Sequence, residues 1–305
     1  IDAFPLCLDT QDVDEIVRTV KAVAPVFAGI NLEDISAPRC FEIEDRLRQE
    51  LDIPVFHDDQ HGTAIVALAA LTNALKVVGK KLEDVRIVQT GAGAAGSAIL
   101  RLLLAAGAKD VVVTDVGGIV HTDRENLDPT LQWIAQDTNP RWLRGTLSDA
   151  LVDADVFIGV SAPNLLSEED VQAMADGAIV FAMANPIPEI DPVIATRHAA
   201  VVATGRSDFA NQINNVLAFP GVFRGLIDAR SSRVTNEMLI AAAHALAEVV
   251  TEEELNATYI VPSVFHSTLH TTVAKAVQKV AEQDEANRAN LSGETNPVTL
   301  EILSQ

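Results

Sequence analysis

Cysteine and aromatic residues are scarce in this sequence of 305 residues, which contains two cysteines and 4% aromatic residues. Cys7 and Cys40 lie far apart, so the chain has neither a disulfide framework nor a zinc knuckle. We expect two reduced thiols and a reducing, cytoplasmic compartment. With so few aromatic side chains, the core must consist mainly of alanine, valine, leucine and isoleucine.

Positive charge is also scarce, since Lys and Arg total 22 against 43 for Asp and Glu, which gives a formal net charge of −21. The field of such a protein repels phosphate backbones and anionic membranes. The charge therefore argues strongly against sequence-independent nucleic-acid binding and against docking on anionic membranes through a basic face. A bound anionic ligand needs a local positive site of its own.

Long hydrophobic runs are missing as well. The longest stretch without Asp, Glu, Lys or Arg is 255–274, and its Asn, Pro, Ser, His and Thr residues make it too polar to lie in lipid. The sequence begins at Ile1, with no methionine and no basic region followed by an apolar run. We expect no membrane segment and no signal peptide, and a natural chain that begins further upstream.

From Lys80 onward, the sequence alternates short apolar strands with helical patterns. The predicted strands, which have the β-branched composition of buried strands, are 85–90, 110–115, 153–161, 177–186 and 199–205. Strands that alternate with helices predict an α/β fold with a doubly wound parallel sheet, as in a Rossmann-type domain.

Outside this region, helical and strand patterns are mixed. The predicted helices are 11–24 (with Thr10 as the N-cap), 38–51, 62–79, 216–230 and 235–250. Two further buried strands are predicted over 25–34 and 52–59, and each ends in two acidic residues. The polar segment from about Gln283 is expected to be peripheral.

A glycine-rich turn follows the first strand of the alternating region. Gly91, Gly93 and Gly96 form a G-x-G-x-x-G pattern between a predicted strand and a predicted helix, which is the context of a dinucleotide-binding turn. Gly91 permits the tight turn, Gly93 lets the backbone approach a pyrophosphate, and Gly96 lets helix and strand pack closely. The helix N-terminus supplies positive charge for the anion. A tight turn without a ligand is the alternative.

Asp115 ends the next strand. A carboxylate at this position accepts a hydrogen bond from a ribose 2′-hydroxyl and repels a 2′-phosphate. We therefore predict NAD as the cofactor, with NADP as the alternative.

Two acidic pairs, Glu33–Asp34 and Asp58–Asp59, each follow a predicted buried strand. Adjacent carboxylates repel each other unless a cation lies between them, and hard carboxylate oxygens suit Mg²⁺ or Mn²⁺. The pairs predict a divalent-metal site, and two solvated turns are the alternative. Two histidines flank the second pair and are interpreted as supporting residues rather than zinc ligands: His57 and His61.

Polar residues also end three of the later strands. Ser161 follows the third strand, Asn185 the fourth, and Asn214 and Asn215 the fifth. Ligands bind at the carboxyl ends of strands in such a sheet, and an amide can donate to a carboxylate without adding charge. Ser161 is predicted to contact the nicotinamide amide. Each of these residues could instead cap a helix or close a turn.

In this order and spacing, the motifs resemble the malic enzymes, most closely the short bacterial type. The resemblance runs from Ile1 to about Val280 and rests on NLEDISAPRCFEIE, PVFHDDQHGTA, GAGAAG, FAMANPIPE and NNVLAFPGVFRG. It implies oxidative decarboxylation of L-malate to pyruvate and CO₂, with NAD or NADP and with Mn²⁺ or Mg²⁺. It also implies a homodimer or a dimer of dimers.

The resemblance implies a role for each candidate residue. Glu33, Asp34 and Asp59 match the metal ligands, and Asp58 matches the neighbour that orients the catalytic lysine. The implied malate contacts are Asn185 and Asn215. The implied cofactor contacts are Gly91, Gly93, Ala94, Ala95, Gly96, Asp115, Ser161, Ala162, Asn185 and Asn214.

Together, the resemblance and the element pattern divide the chain into three parts. Residues 1–75 are predicted to form a metal and substrate domain, and 76–220 the NAD-binding Rossmann domain. Residues 221–305 are predicted to form a helical segment that packs back on both, so that the second α/β domain is discontinuous.

The family's general base, a lysine, and its general acid, a tyrosine, would belong to a segment before Ile1. The single tyrosine, Tyr259, lies outside any matching motif, and no lysine falls in the matching context, including Lys21, Lys76 and Lys275. We expect the chain alone to be nearly inactive. Two alternatives stay open: a dinucleotide-binding or regulatory module without turnover, and a metal-independent amino-acid dehydrogenase.

Overall fold

The computed structural model describes residues 1–292, with side chains described through residue 288. The helices are α1 (Val13–Val23), α2 (Arg39–Glu50), α3 (Thr63–Val78), α4 (Ala94–Ala105), α5 (Pro129–Asp137), α6 (Leu147–Leu151), α7 (Glu168–Gln172), α8 (Pro192–Ala195), α9 (Phe219–Ala229), α10 (Asn236–Glu248) and α11 (Leu269–Ser292). The strands are β1 (Ile30–Leu32), β2 (Val55–His57), β3 (Arg86–Thr90), β4 (Asp110–Asp115), β5 (Gly118–Ile119), β6 (Val156–Gly159), β7 (Ile179–Ala182) and β8 (Val201–Thr204).

The main sheet has the strand order β5-β4-β3-β6-β7-β8. Its strands run parallel except for β5, which is antiparallel to β4. The order reverses between β3 and β6, which confirms the predicted doubly wound sheet and leaves a crevice at the carboxyl ends of these two strands. β5 is not among the predicted strands, because a strand of two residues leaves no apolar run in the sequence.

Alternate residues of each strand face two apolar layers. Ile87 and Ile158 pack in the layer that includes α3, α4, α9, α10 and α11. Their chain neighbours Val88 and Phe157 pack in the opposite layer, with α6, α7 and α8. Both faces of the sheet are therefore covered, which explains why the interiors of its strands are mostly apolar. The core is largely aliphatic, as the composition requires.

The uncharged helix α3 packs against α4 and α10. The stretch Asp58–Val78 is long and apolar enough to cross a membrane, but most of it is buried inside the protein. A helix that is apolar on all sides is expected in such a core. These contacts join α3 to the helices that cover the sheet, while the domain boundary at residue 75 stays a prediction.

The N-terminal part is a smaller α/β unit. β1 and β2 form a parallel pair in which Leu32 lies opposite His57. Both strands are shorter than predicted. The apolar side chains between the pair and its two helices are Ile16, Val17, Leu32, Ile43, Leu47 and Val55. Both cysteines are free, with Cys7 exposed and Cys40 buried.

The predicted N-cap of α1 is wrong. Asp12 caps the helix, and its Oδ1 accepts a hydrogen bond from Glu15 N–H at 2.9 Å. Thr10 Oγ1 instead accepts from Asp12 N–H at 3.1 Å. Because the helix begins at Val13, two residues later than predicted, Asp12 is the side chain that reaches the third helical N–H.

The sequence analysis predicted a helical segment over residues 221–305 but gave no separate bounds for α11, which spans Leu269–Ser292. The buried face of this helix is a narrow stripe in which fully buried residues recur every four positions, at Leu269, Val273, Val277 and Ala281. Ala274 lies beside this stripe and is 6% exposed. The helix packs on α9, where a Cβ on Gly225 would lie 2.5 Å from the backbone oxygen of Ala274. A narrow stripe is a weaker sequence signal than a broad apolar face. The polar segment predicted from about Gln283 begins inside α11, and its residues beyond 292 lie outside the described part.

Candidate functional site

The glycine turn connects β3 to α4 at the crevice. Gly91 has a φ of +105°, and a Cβ on Gly96 would lie 2.1 Å from the Gly91 oxygen, so the backbone itself requires both glycines. A Cβ on Gly93, in contrast, would have no heavy atom within 4 Å. The position therefore faces open space beside the N-terminus of α4, which begins at Ala94. This is the arrangement that an approaching pyrophosphate needs.

Asp115 lies at the end of β4 and is paired with a cation. Arg124 donates from Nη1 to Oδ1 and from Nη2 to Oδ2, both at 2.9 Å. Gly117 N–H donates to Oδ1 at 2.7 Å. A Cβ on Gly117 would lie 2.6 Å from Arg124 Nη2, so the guanidinium occupies space that only glycine leaves free. The charge of Asp115 is thus largely balanced, which the sequence analysis did not foresee.

The two acidic pairs lie at adjacent ends of β1 and β2. Asp34 N–H donates to Asp59 Oδ2 at 2.8 Å, which ties the two loops together. Asp34 adopts a left-handed conformation with φ of 57°. Asn31 Nδ2 donates to Glu33 Oε1 at 2.6 Å. The parallel pairing therefore brings acids that are distant in sequence into one cluster.

Asp58 is the buried member of this cluster. Its Oδ2 accepts a hydrogen bond from Asn215 Nδ2 at 3.2 Å, whereas its Oδ1 is buried and has no described partner. Burial raises the pKa of the Asp58 carboxyl, the Asn215 hydrogen bond lowers it, and nearby Glu33 and Asp59 raise it, which together give a pKa of about 6. The cluster therefore carries negative charge that nearby cations do not balance.

The donor chemistry of the cluster fits a hard divalent cation. Within the part of the chain that the structure describes, no three His, Cys, Asp or Glu side chains lie close enough to hold a metal ion. The fit rests instead on four carboxylates carried by two tied loops and on the unpartnered Asp58 Oδ1. Such a cluster is relieved by a cation with oxygen ligands. The ligand set Glu33, Asp34 and Asp59 stays a prediction.

A buried network supports the turn that carries Asp58 and Asp59. Glu44 is 6% exposed, and its carboxylate lies 2.6 Å from His61 Nε2. It accepts a hydrogen bond from Gln60 Nε2 at 3.0 Å and forms an ion pair with Arg48 at 2.8 Å. Burial opposes ionisation of Glu44, but His61 and Arg48 hold the pKa of its carboxyl below the usual value. The network fixes the turn on α2.

Two of the predicted asparagines have defined partners. Asn215 donates to Asp58, and its Oδ1 accepts from Thr63 Oγ1 at 3.0 Å. Asn215 therefore joins the acidic cluster to the segment that follows β8. Asn214 Oδ1 accepts from Val216 N–H at 3.0 Å and caps a short helical turn, which is the alternative that the sequence left open.

The other predicted polar residues are exposed at the crevice. Asn185 follows β7, and its side-chain amide lies against Gly205, because a Cβ on Gly205 would lie 3.0 Å from Asn185 Nδ2. Ser161 and Ala162, after β6, are also exposed. Ser161 N–H donates to Glu189 Oε1 at 3.1 Å. These positions leave Asn185, Ser161 and Ala162 accessible to ligands.

Three residues with structural importance for the site escaped the sequence analysis: Arg124, Glu44 and Glu189. Arg124 contacts Asp115, which lies 9 positions away in sequence. Glu44 contacts His61 across 17 positions, and Glu189 contacts Ser161 across 28 positions. No periodic pattern connects residues at such separations. The available signal was local, since Glu189 closes the FAMANPIPE motif.

Comparisons with known proteins agree on one family. The chain matches the sequence profiles of the malic enzyme NAD-binding domain over residues 60–282 and the malic enzyme N-terminal domain over residues 9–48. It is 61% identical to an NAD-dependent malic enzyme from Geobacillus stearothermophilus, over 92% of this chain and 59% of that protein. It is 52% identical to a bifunctional malic/malolactic enzyme from Bacillus subtilis (strain 168), over 96% and 72%.

Cofactor use differs among the similar proteins. An NADP-dependent malic enzyme from Halomonas elongata is 48% identical over 83% of this chain and 60% of that protein. The crystal structure of an NAD-dependent malic enzyme from Thermotoga maritima superposes with a TM-score of 0.86 and 47% identity, over 91% of this chain and 74% of that chain.

Proposed function

The chain belongs to the malic enzyme family, and we propose that the protein converts L-malate and NAD to pyruvate, CO₂ and NADH, with a requirement for Mn²⁺ or Mg²⁺. Because the chain spans 59% of the length of its Geobacillus relative, the activity is proposed for the complete enzyme. A cytoplasmic location and a homodimer or dimer of dimers stay predictions.

The observation that carries this proposal is the position of Asn215. This residue follows β8 of the main sheet, and its Nδ2 donates to Asp58 of the acidic cluster at 3.2 Å. One side chain therefore brings the cluster to the edge of the sheet that also carries the glycine turn. A substrate held at the cluster would lie on the same side of the sheet as a dinucleotide bound at the crevice.

The metal would be held by Glu33, Asp34 and Asp59, whose loops are tied by the Asp34–Asp59 hydrogen bond. When bound, the ion supplies Lewis-acid polarisation of the malate 2-hydroxyl and carboxylate. Asp58 keeps a negative charge behind the ligands, and its free Oδ1 can accept from a cationic side chain. The exposed amide of Asn185 can donate to a malate carboxylate without adding charge.

The cofactor would be held at the carboxyl ends of β3, β4 and β6. The N–H groups at the start of α4 would bind the pyrophosphate, and Asp115 would accept a hydrogen bond from the adenosine ribose. Ser161 and Ala162 would contact the nicotinamide end. When bound, NAD would accept the hydride. NADP remains the alternative, because Arg124 places a positive charge beside Asp115.

The test is NADH formation by the complete enzyme with L-malate, NAD and Mn²⁺, against the same mixture with EDTA. We expect turnover that EDTA abolishes and Mn²⁺ restores. Equal turnover with EDTA would exclude the metal role. NADH binding without malate turnover would favour a dinucleotide-binding module, and oxidation of an amino acid would favour the amino-acid dehydrogenase.

A further inference from the structure

A fully buried carboxylate lies between the ends of β6 and β7, and neither the metal prediction nor the cofactor prediction uses it. Glu189 is 0% exposed. Its Oε1 accepts from Ser161 N–H and its Oε2 accepts from Ala184 N–H, both at 3.1 Å. Ser161 is a predicted cofactor contact, and Ala184 precedes Asn185, a predicted malate contact. One carboxylate therefore holds the starts of two ligand-facing segments.

The surrounding backbone is shaped to admit this side chain. A Cβ on Gly159, the last residue of β6, would lie 2.4 Å from Glu189 Cδ and 2.5 Å from Oε1. The backbone of Glu189 is also hydrogen-bonded to the segment after β6, since Leu166 N–H donates to the backbone oxygen of Glu189 at 3.0 Å. Backbone and side-chain hydrogen bonds therefore connect the two segments around the carboxylate.

The chemistry of this position favours glutamate over glutamine. Burial raises the pKa of the Glu189 carboxyl, and the two N–H donors oppose that shift without cancelling it. Both donors are backbone groups, so each needs an acceptor oxygen. A carboxylate offers two acceptor oxygens, whereas an amide offers one and turns an N–H donor toward the other N–H. A buried N–H left without an acceptor is costly.

We propose that Glu189 is a positioning residue that fixes Ser161 and Asn185 relative to each other, so that the cofactor and malate sites form together. The proposal rests on the proposed function for its malate half, whereas its cofactor half requires only that the protein binds NADH. Glu189 touches neither ligand in this assignment. It acts through the backbone N–H groups that it holds.

The test is Glu189→Gln in the complete enzyme, with NADH binding followed by fluorescence titration and malate kinetics by NADH formation. One lost acceptor should raise the NADH dissociation constant and the malate KM together, each by about tenfold. The matched control is Glu168→Gln, because the Glu168 carboxylate lies on the surface and pairs with His198 and Arg197. It should leave both constants unchanged.

The outcomes separate positioning from a purely structural role. A lower melting temperature with unchanged NADH dissociation constant and malate KM would overturn the proposal. If Glu189→Gln does not fold, Glu189→Asp keeps the charge but shortens the reach, and wild-type constants in that variant would also overturn it. A wild-type enzyme that binds NADH without oxidising malate contradicts the proposed function, while the NADH constants still decide the role of Glu189.

Discussion

Two carboxylates of the site differ in whether a cation lies beside them. Asp58 has a buried Oδ1 without a described partner, whereas Asp115 is held by both Nη atoms of Arg124. A carboxylate paired with arginine repels a 2′-phosphate only weakly, because the charges of the pair nearly cancel at that distance. The predicted preference for NAD therefore depends on Arg124 staying paired with Asp115, and not on the charge of Asp115 alone.

Asp115→Asn should shift the cofactor preference toward NADP. The substitution removes the carboxylate from the NAD ribose and leaves the Arg124 guanidinium free to form charge-assisted hydrogen bonds with a 2′-phosphate. Such bonds contribute about 1.5–3 kcal/mol, so we expect the ratio of kcat/KM for NADP to that for NAD to rise by about tenfold or more. Steady-state kinetics of the complete enzyme with both cofactors measures it.

The control for this shift is Asp123→Asn. Asp123 lies in the loop after β5 and pairs with Arg144, so its loss changes the net charge equally without freeing Arg124. Its cofactor ratio should match that of the wild type. The double variant Asp115→Asn/Arg124→Gln should lose the gain for NADP, and a gain that survives would show that Arg124 is not its source.

At the scale of elements, the glycines of the β3–α4 turn differ in whether the fold requires them. A Cβ on Gly96 would collide with the backbone of Gly91, at 2.1 Å. A Cβ on Gly93 would meet no protein atom within 4 Å, although Gly93 belongs to the same motif. Packing therefore explains Gly96, whereas no packing contact requires a glycine at position 93, which stays a predicted cofactor contact.

Gly93→Ala should weaken dinucleotide binding without weakening the fold. Its backbone has a φ of −76°, which alanine adopts without strain, so the melting temperature should stay close to that of the wild type. The added methyl occupies the approach of the pyrophosphate, and the NADH dissociation constant should rise by about tenfold or more. Gly96→Ala is the matched comparison, with both a lower melting temperature and weaker binding. A fall in melting temperature for Gly93→Ala would contradict the distinction.

Elements were predictable where one local pattern decided them. The strands β3, β4, β6, β7 and β8 were recognisable because a sheet covered on both faces favours apolar runs that do not alternate with polar residues. β5 has two residues and left no pattern that sequence alone could resolve. The narrow buried stripe of α11 allowed a helical segment to be predicted but not the bounds of the helix. The glycine turn and the acidic pairs were likewise local. The pairing of Asp115 with Arg124 depends on how two segments fold together, and no spacing rule contains that information.

At the scale of the whole molecule, the excess negative charge and the acidic cluster both cause repulsion between carboxylates in the folded protein. The chain has 43 acidic residues and 22 basic residues. Many of these acids pair with surface arginines, whereas Asp58 is buried. Burial and the nearby charges of Glu33 and Asp59 raise the pKa of its carboxyl to about 6, although the Asn215 hydrogen bond opposes this shift. A bound divalent cation would relieve this repulsion in the folded state alone, because the unfolded chain does not assemble the two loops.

Mn²⁺ should therefore stabilise the folded protein, independently of any activity. An ion that binds only the folded state contributes about 2.7 kcal/mol at a concentration one hundred times its dissociation constant. We expect thermal unfolding of the wild type to move upward by several degrees with Mn²⁺. Asp59→Asn should lose most of that shift, since Asp59 is both a predicted ligand and the acceptor that ties the loops.

The control that isolates the cluster from the overall charge is Asp52→Asn. Asp52 is exposed just before β2, so its loss lowers the net negative charge by the same amount and leaves the tied loops intact. Its Mn²⁺ shift should equal that of the wild type if the ion binds at the cluster. If Mn²⁺ instead stabilises the protein by screening its net charge, Asp52→Asn and Asp59→Asn should lose equal parts of the shift. That result would assign the stabilisation to the field of the whole molecule and remove Glu33, Asp34 and Asp59 as a ligand set.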